Sequence, residues 1–251
     1  MVYNSLTEAP RNLKECFDWL VALNGSSKFN TQALGFAVYN FLVDKPVGTL
    51  LIPSLEKVKR LSKEFLEQKE LKNRPYVEEL LSKYKEPVNK QSRSIKHFLG
   101  DYESDYKNVV KRSGVKPDDI AENVARIASS SKMSVMLIGT PDQYESAYSS
   151  EATWDASCSK DPEACAVIFV GIAPMLYAGL QSLWDETTPK FSGSETPIET
   201  NRMGKLMKAL GFTEPEYRGD TSRSHVRRAV RFMHQYVLED IYDLAGFWAF
   251  Y

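Results

Sequence analysis

The sequence predicts an all-α fold, a compact bundle of about ten helices wrapped around one central hydrophobic helix. Three observations predict it. Residues 164–180, A-C-A-V-I-F-V-G-I-A-P-M-L-Y-A-G-L, hold no charge in a chain that is 26% charged. The segments around that run repeat apolar residues every three or four positions, the period of a helix with one face turned inward. No two neighbouring stretches alternate as paired strands would.

The uncharged run has apolar residues on every side, so it is expected to lie enclosed, with Asp161 as N-cap and Pro162 at the first helical position. A membrane-spanning helix requires ~20 apolar residues. This run is shorter, contains Pro174 and leads straight into Gln181, Asp185 and Glu186, so burial in protein is the preferred reading. Gly171, Ala173, Ala178 and Gly179 offer close approach to neighbours, and Pro174 a kink.

In chain order, Leu13, Cys16, Phe17, Leu20 and Leu23 form a first stripe that stops at Asn24-Gly25. Leu34, Val38, Phe41 and Leu42 carry a second over 31–44. After Pro46-Val47-Gly48 a charged helix starts at Ser54, with Leu55, Val58, Leu61 and Phe65 inward. Pro75 opens a fourth, carrying Val77, Leu80, Leu81 and Tyr84 and followed by Pro87. The face Ile95, Phe98, Leu99, Tyr102, Tyr106, Val109 and Val110 predicts one further helix that ends before Gly114. Pro117-Asp118-Asp119 starts the next, with acid where the helix dipole favours it. Val135–Ile138 is the one run with strand character, and with no partner strand it is read as continued helix or coil. Residues 144–150 are ambiguous. Residues 187–199 read as a loop, 200–210 as a short helix ending at Gly211, and Asp220-Thr221-Ser222 as the start of one long final helix reaching Trp248. One all-α domain over 1–251 is expected, divisible into subdomains 1–114, 115–187 and 200–251.

With 32 basic and 33 acidic residues, the net charge of -1 gives no footprint for nucleic acid or an anionic membrane. The first ten residues lack the apolar core of a signal peptide. The spacings that metal, nucleotide or nucleophile chemistry imposes are not found, so no catalytic residue, metal or cofactor is assigned. His97, His225 and His234 lie on separate segments and are read as structural.

Of the three cysteines, Cys158 and Cys165 bracket a polar segment that a disulfide can close, while Cys16 lies on an apolar face; three reduced thiols are the alternative. Arg223, Arg227 and Arg231 stand at i, i+4 and i+8, with Arg228 beside them and Arg218 upstream. Cations in the first turns of a helix, with Glu239, Asp240 and Asp243 later, oppose the dipole, so something must compensate. One reading is an anion-recognising face, toward carboxylate or sulfate on a cell surface. The other is ion pairing with acidic faces of neighbouring helices. Arg202, Lys205 and Lys208 make a second basic strip with the same two readings. Asn24-Gly25-Ser26 is formally a glycosylation triplet and carries little weight.

The segment N-S-L-T-E-A-P-R-N-L-K-E-C-F-D-W-L, residues 4–20, resembles the N-terminal block of Babesia surface antigens, which read L-T-E-A-P, a variable residue, N-L-K-E, two residues and D-W. The cysteine-led run at 165–180 is similar to a second block of that group. Together the blocks cover about 33 of 251 residues, and the compact helical chain looks most like the GPI-anchored merozoite members. The resemblance implies a trimmed ectodomain whose precursor carries a secretory signal and a C-terminal anchor signal. It places the protein outside the parasite cell, held to membrane only through that anchor. It also implies a Cys158–Cys165 bridge formed in an oxidising compartment, and attachment to an erythrocyte surface component, protein or glycan. Cys16 replaces a small residue usual in the variant antigens, which leaves its pairing with Cys158 or Cys165 open. No binding residue carries over. Arg223, Arg227, Arg228 and Arg231 are therefore the candidate receptor-binding residues on their own chemistry. The alternatives are a cytosolic helical scaffold docking partner peptides, an antigenic coat without a receptor, and an enzyme assembled from distant helices.

Overall fold

The computed structural model describes residues 2–25, 27–86, 103–188, 197–213 and 223–251. Two long helices set its frame. The longer is α8, Pro162–Thr187, of 26 residues; the other is α6, Pro117–Ile138, of 22. Around them lie α1 (Leu13–Asn24), α2 (Lys28–Leu42), α3 (Pro53–Leu66), α4 (Pro75–Lys85), α9 (Pro197–Ala209) and α10 (Arg223–Tyr236). Short helices complete the chain: α5 (Val109–Arg112), α7 (Trp154–Ser157), α11 (Leu238–Asp243) and α12 (Phe247–Phe250). Among the described residues there is no strand, only one isolated bridge between Tyr3 and Tyr148.

The all-round apolar character of α8 is satisfied as expected. Every residue from Cys165 to Leu180 is buried. By length and composition α8 is the one described helix apolar enough to cross a membrane, yet 89% of its most apolar window is buried within the protein. Asp161 caps it, its carboxylate accepting from the Ala164 N–H, and Pro162 stands at the first turn. The helix runs on through Pro174. Gly171 admits α3: a Cβ there would stand 2.7 Å from Val58 Cβ, and the Ser62 hydroxyl donates to the Gly171 carbonyl at 2.6 Å. Gly179 does the same for Leu13 of α1. Where α2 crosses α6, a Cβ on Gly35 would overlap the Ala121 backbone.

The bridge Cys158–Cys165 is present, with Cα atoms 5.9 Å apart, and it ties α7 to the start of α8. Cys16 stays a thiol, buried, with Sγ 3.5 Å from Met175 Sδ; burial pushes its ionisation well above the ordinary range.

Two expectations are corrected, and one ambiguity is resolved. The helix predicted through 95–110 is not continuous where it is described: a 3-10 turn at Glu103–Asp105 and then α5 replace it, while 87–102 lie outside the described residues. Asn108 is the cause. Its side-chain oxygen caps α5 at the Lys111 N–H while its amide donates to the Leu42, Val43 and Lys45 carbonyls, each at 3.0 Å, where α2 ends. The final helix likewise breaks, at Val237 and at Gly246 (φ +67°), into α10, α11 and α12; its predicted start, Asp220–Ser222, lies outside the described residues. The 144–150 segment is extended, pairing with Tyr3 through Tyr3 N–H to Ala147 O (2.8 Å) and Ser149 N–H to Tyr3 O (2.9 Å). By contrast, Val135–Ile138 is helix. The serines that blur its stripe bond back along α6, Ser131 to the Ile127 carbonyl and Ser134 to Ser130 and, across the interface, to Ala229 of α10.

The break at Val237 also removes half of the dipole paradox. Glu239 and Asp240 stand in the first turn of α11, where acid is favourable, rather than late in a long helix.

Candidate functional site

The C-terminal turn of α8 reads W-D-E-T, residues 184–187. Four orphan carbonyls and the negative end of the dipole lie there, and two acids make the turn more negative still. Such an end requires cations, and none stands in its own last turn. The fold brings them from three other elements.

Glu186 is the centre, its side chain 6% exposed. Arg74, the residue before α4, reaches Oε2 at 3.5 Å; Arg202 of α9 reaches the same oxygen at 3.5 Å; Arg223 of α10 reaches Oε1 at 3.7 Å. Arg227 stacks over the Trp184 ring, 4.4 Å from its centroid, and donates to the Thr187 carbonyl at 3.3 Å. Beside them Gln181 donates to Asp185 at 2.8 Å, and the Tyr76 and Ser182 hydroxyls pair at 2.9 Å. Burial pushes the Tyr76 phenol up to about 12, so it stays neutral at physiological pH.

The four arginines named from the sequence therefore divide. Arg223 and Arg227 turn inward to α8, which supplies the rest of the missing dipole compensation: the positive start of α10 meets the negative end of α8. Arg228 and Arg231 are exposed, and among the described residues neither has an ion-pair partner. Lys205 and Lys208 are exposed on α9. Arg218 and His97 lie outside the described residues, as does the side chain of His234; His225 is exposed.

Sequence reasoning passed over Arg74, Trp184 and Glu186. The signal that marks Glu186 is an acid in the last turn of a helix with no local cation, the mirror image of the reversed charges noticed on α10.

Other titratable clusters join elements. Asp18 on α1 accepts from Lys14 Nζ (3.2 Å), Tyr144 OH (2.6 Å) and the Ala147 N–H (2.9 Å), which seats the 140s segment on α1. Lys83 pairs with Asp105, which also accepts from Tyr242 OH at 3.0 Å. Nearby, burial pushes Asp243 up to about 6. Among the described residues no group of three His, Cys, Asp or Glu side chains is placed to hold a metal ion.

Comparison with family models, with curated proteins and with solved structures finds no match for this chain.

Proposed function

We propose that this chain is the helical ectodomain of a GPI-anchored parasite surface protein that attaches to the erythrocyte surface by recognition rather than by catalysis. Three features support the reading. The Cys158–Cys165 bridge suits an oxidising compartment, the helices pack around a buried α8, and residues 4–20 and 165–180 resemble the Babesia merozoite antigens.

The single observation that carries the contact surface is the exposure of Arg228 and Arg231 once Arg223 and Arg227 are committed to α8. Arginine is suited to this work because its planar fork engages carboxylate and sulfate oxygens two at a time and stays charged at any physiological pH. The experiment is attachment of the purified, fluorescently labelled protein to red cells. The Arg228→Ala/Arg231→Ala double variant should attach about fivefold less at physiological salt, with unchanged helical circular dichroism, and wild-type attachment should weaken as sodium chloride rises. Equal attachment by the double variant removes this surface.

A further inference from the structure

From Phe29 to Val43 the chain carries no charge, yet part of this stretch faces water. Phe29 is 77% exposed and Phe36 36%, and Gln32 and Asn40 are exposed on the same side of α2. The outer face of α3 carries Lys57, Arg60 and Glu64 instead, and that of α6 Glu122, Arg126 and Lys132. Residues four apart form a row along a helix. On α2 the row reads Lys28, Gln32, Phe36, Asn40 and Asp44, because Val43 keeps helical backbone angles just past the end of α2 (φ -59°, ψ -38°) and carries Asp44 into line. The chemistry of the row is the same from either end, with only the sign of charge exchanged: a phenylalanine at the centre, an amide one turn to each side, a cation at one end and an anion at the other. Lys28 and Asp44 are exposed, and neither has an ion-pair partner among the described residues. Nor do the Gln32 and Asn40 amides have a hydrogen-bond partner there.

We infer that α2 is a self-association surface, on which a second copy of this chain lies antiparallel about a two-fold axis at Phe36. An isologous contact sets residue i of one copy against residue j of the other and j against i, and a residue on the axis against itself. A charge near the axis therefore meets its like, so the centre of such a contact has to be uncharged, as α2 is. Away from the axis the row fixes the pairs. Gln32 faces Asn40 of the second copy, where two primary amides can exchange hydrogen bonds, and Lys28 faces Asp44, of opposite sign. Rows of residues four apart interdigitate at a crossing of about 50°, the commonest way in which two helices pack. Parallel pairing sets Lys28 against Lys28 and Asp44 against Asp44, so charge selects the antiparallel arrangement. A docked peptide or a lipid surface makes no use of this symmetry; a second copy does. One helix pair covers less than the ~1,200 Å² of a stable complex, so the association is weak, with a dissociation constant of about 10–100 µM. It goes beyond the attachment reading and does not rest on it.

The test is sedimentation equilibrium of the purified chain from about 5 to 500 µM, a range that brackets this constant. The wild type should pass from monomer to dimer and no further, because a two-fold contact closes on itself. Phe36→Glu sets two carboxylates together on the axis and should stay monomeric with unchanged circular dichroism. Lys28→Glu, at an exposed position, should weaken the dimer about fivefold. Lys28→Glu/Asp44→Lys should restore it, because exchanging the two charges within one chain re-forms both pairs across the axis. Cross-linking reads the register. Phe36→Cys should join to its own copy under dissolved oxygen, whereas Phe29→Cys, about 21 Å along the helix from its own copy in this arrangement, should not. A wild type that stays monomeric throughout overturns the surface, as does a dimer that survives Phe36→Glu or one that the charge exchange fails to restore. If the chain is monomeric and Phe36→Glu abolishes attachment to red cells or flotation with phosphatidylcholine vesicles, the face belongs to a receptor or to lipid, and pairing is again overturned.

Discussion

At its N-terminal end α8 is fastened by residues that are neighbours in the chain: Asp161 caps it, Pro162 opens it, and a disulfide joins Cys165 to a cysteine seven positions earlier. At its C-terminal end it is fastened by residues that are neighbours only in space. Arg74 lies 112 positions from Glu186, and Arg202 lies 16. The first end is closed mainly by local chemistry, with Leu6 of the N-terminal segment added at Ser157. The second is completed by three elements drawn from distant parts of the chain, whose arginines share one buried carboxylate. One helix thus shows how local chemistry fastens one end while assembled chemistry joins distant elements at the other.

Breaking the bridge should have the largest effect. Cys158→Ala/Cys165→Ala should lose about 2–3 kcal/mol of unfolding free energy, the cross-link entropy of so short a loop, measured by urea denaturation without reductant. Loss within experimental error shows that the N-terminal end is held by packing instead. Glu186→Ala should come next, at about 1–2 kcal/mol, because three guanidiniums lose their shared counter-charge but can partly rehydrate. A stabilised Glu186→Ala breaks the comparison, since the carboxylate would then be a burden rather than a fastening. Asp161→Ala should be smallest, at about 0.5–1 kcal/mol for one N-cap, read as a fall in melting temperature. An effect larger than that of Glu186→Ala would reverse the order of the two ends.

The same contrast explains what was legible in the sequence. The apolar run of α8, its cap, and the starts of α1, α4 and α6 are local patterns of period, proline and acid, and they appear where those patterns place them. The break of the last helix was not legible, because Val226, Val230, Met233, Val237, Ile241 and Leu244 keep helical spacing straight across it; Gly246 at positive φ was the one mark of a stop. Asn108 hides its role for a related reason: three of its four partners lie at the end of α2, more than sixty residues away. At the candidate site the strips themselves were readable and their convergence was not. Charge has no period, and only tertiary packing decides which acid a given arginine meets.

The seclusion of Cys16 has a practical side. An odd cysteine ordinarily invites cross-linked dimers and scrambled bridges. Here the spare sulfur is walled in beside Met175 with its thiolate form suppressed, so it offers no nucleophile to a neighbouring molecule. Once folded, the polypeptide should withstand storage in air without disulfide-linked dimers and with a single defined bridge, and alkylating reagents should find the spare sulfur only after the helices come apart.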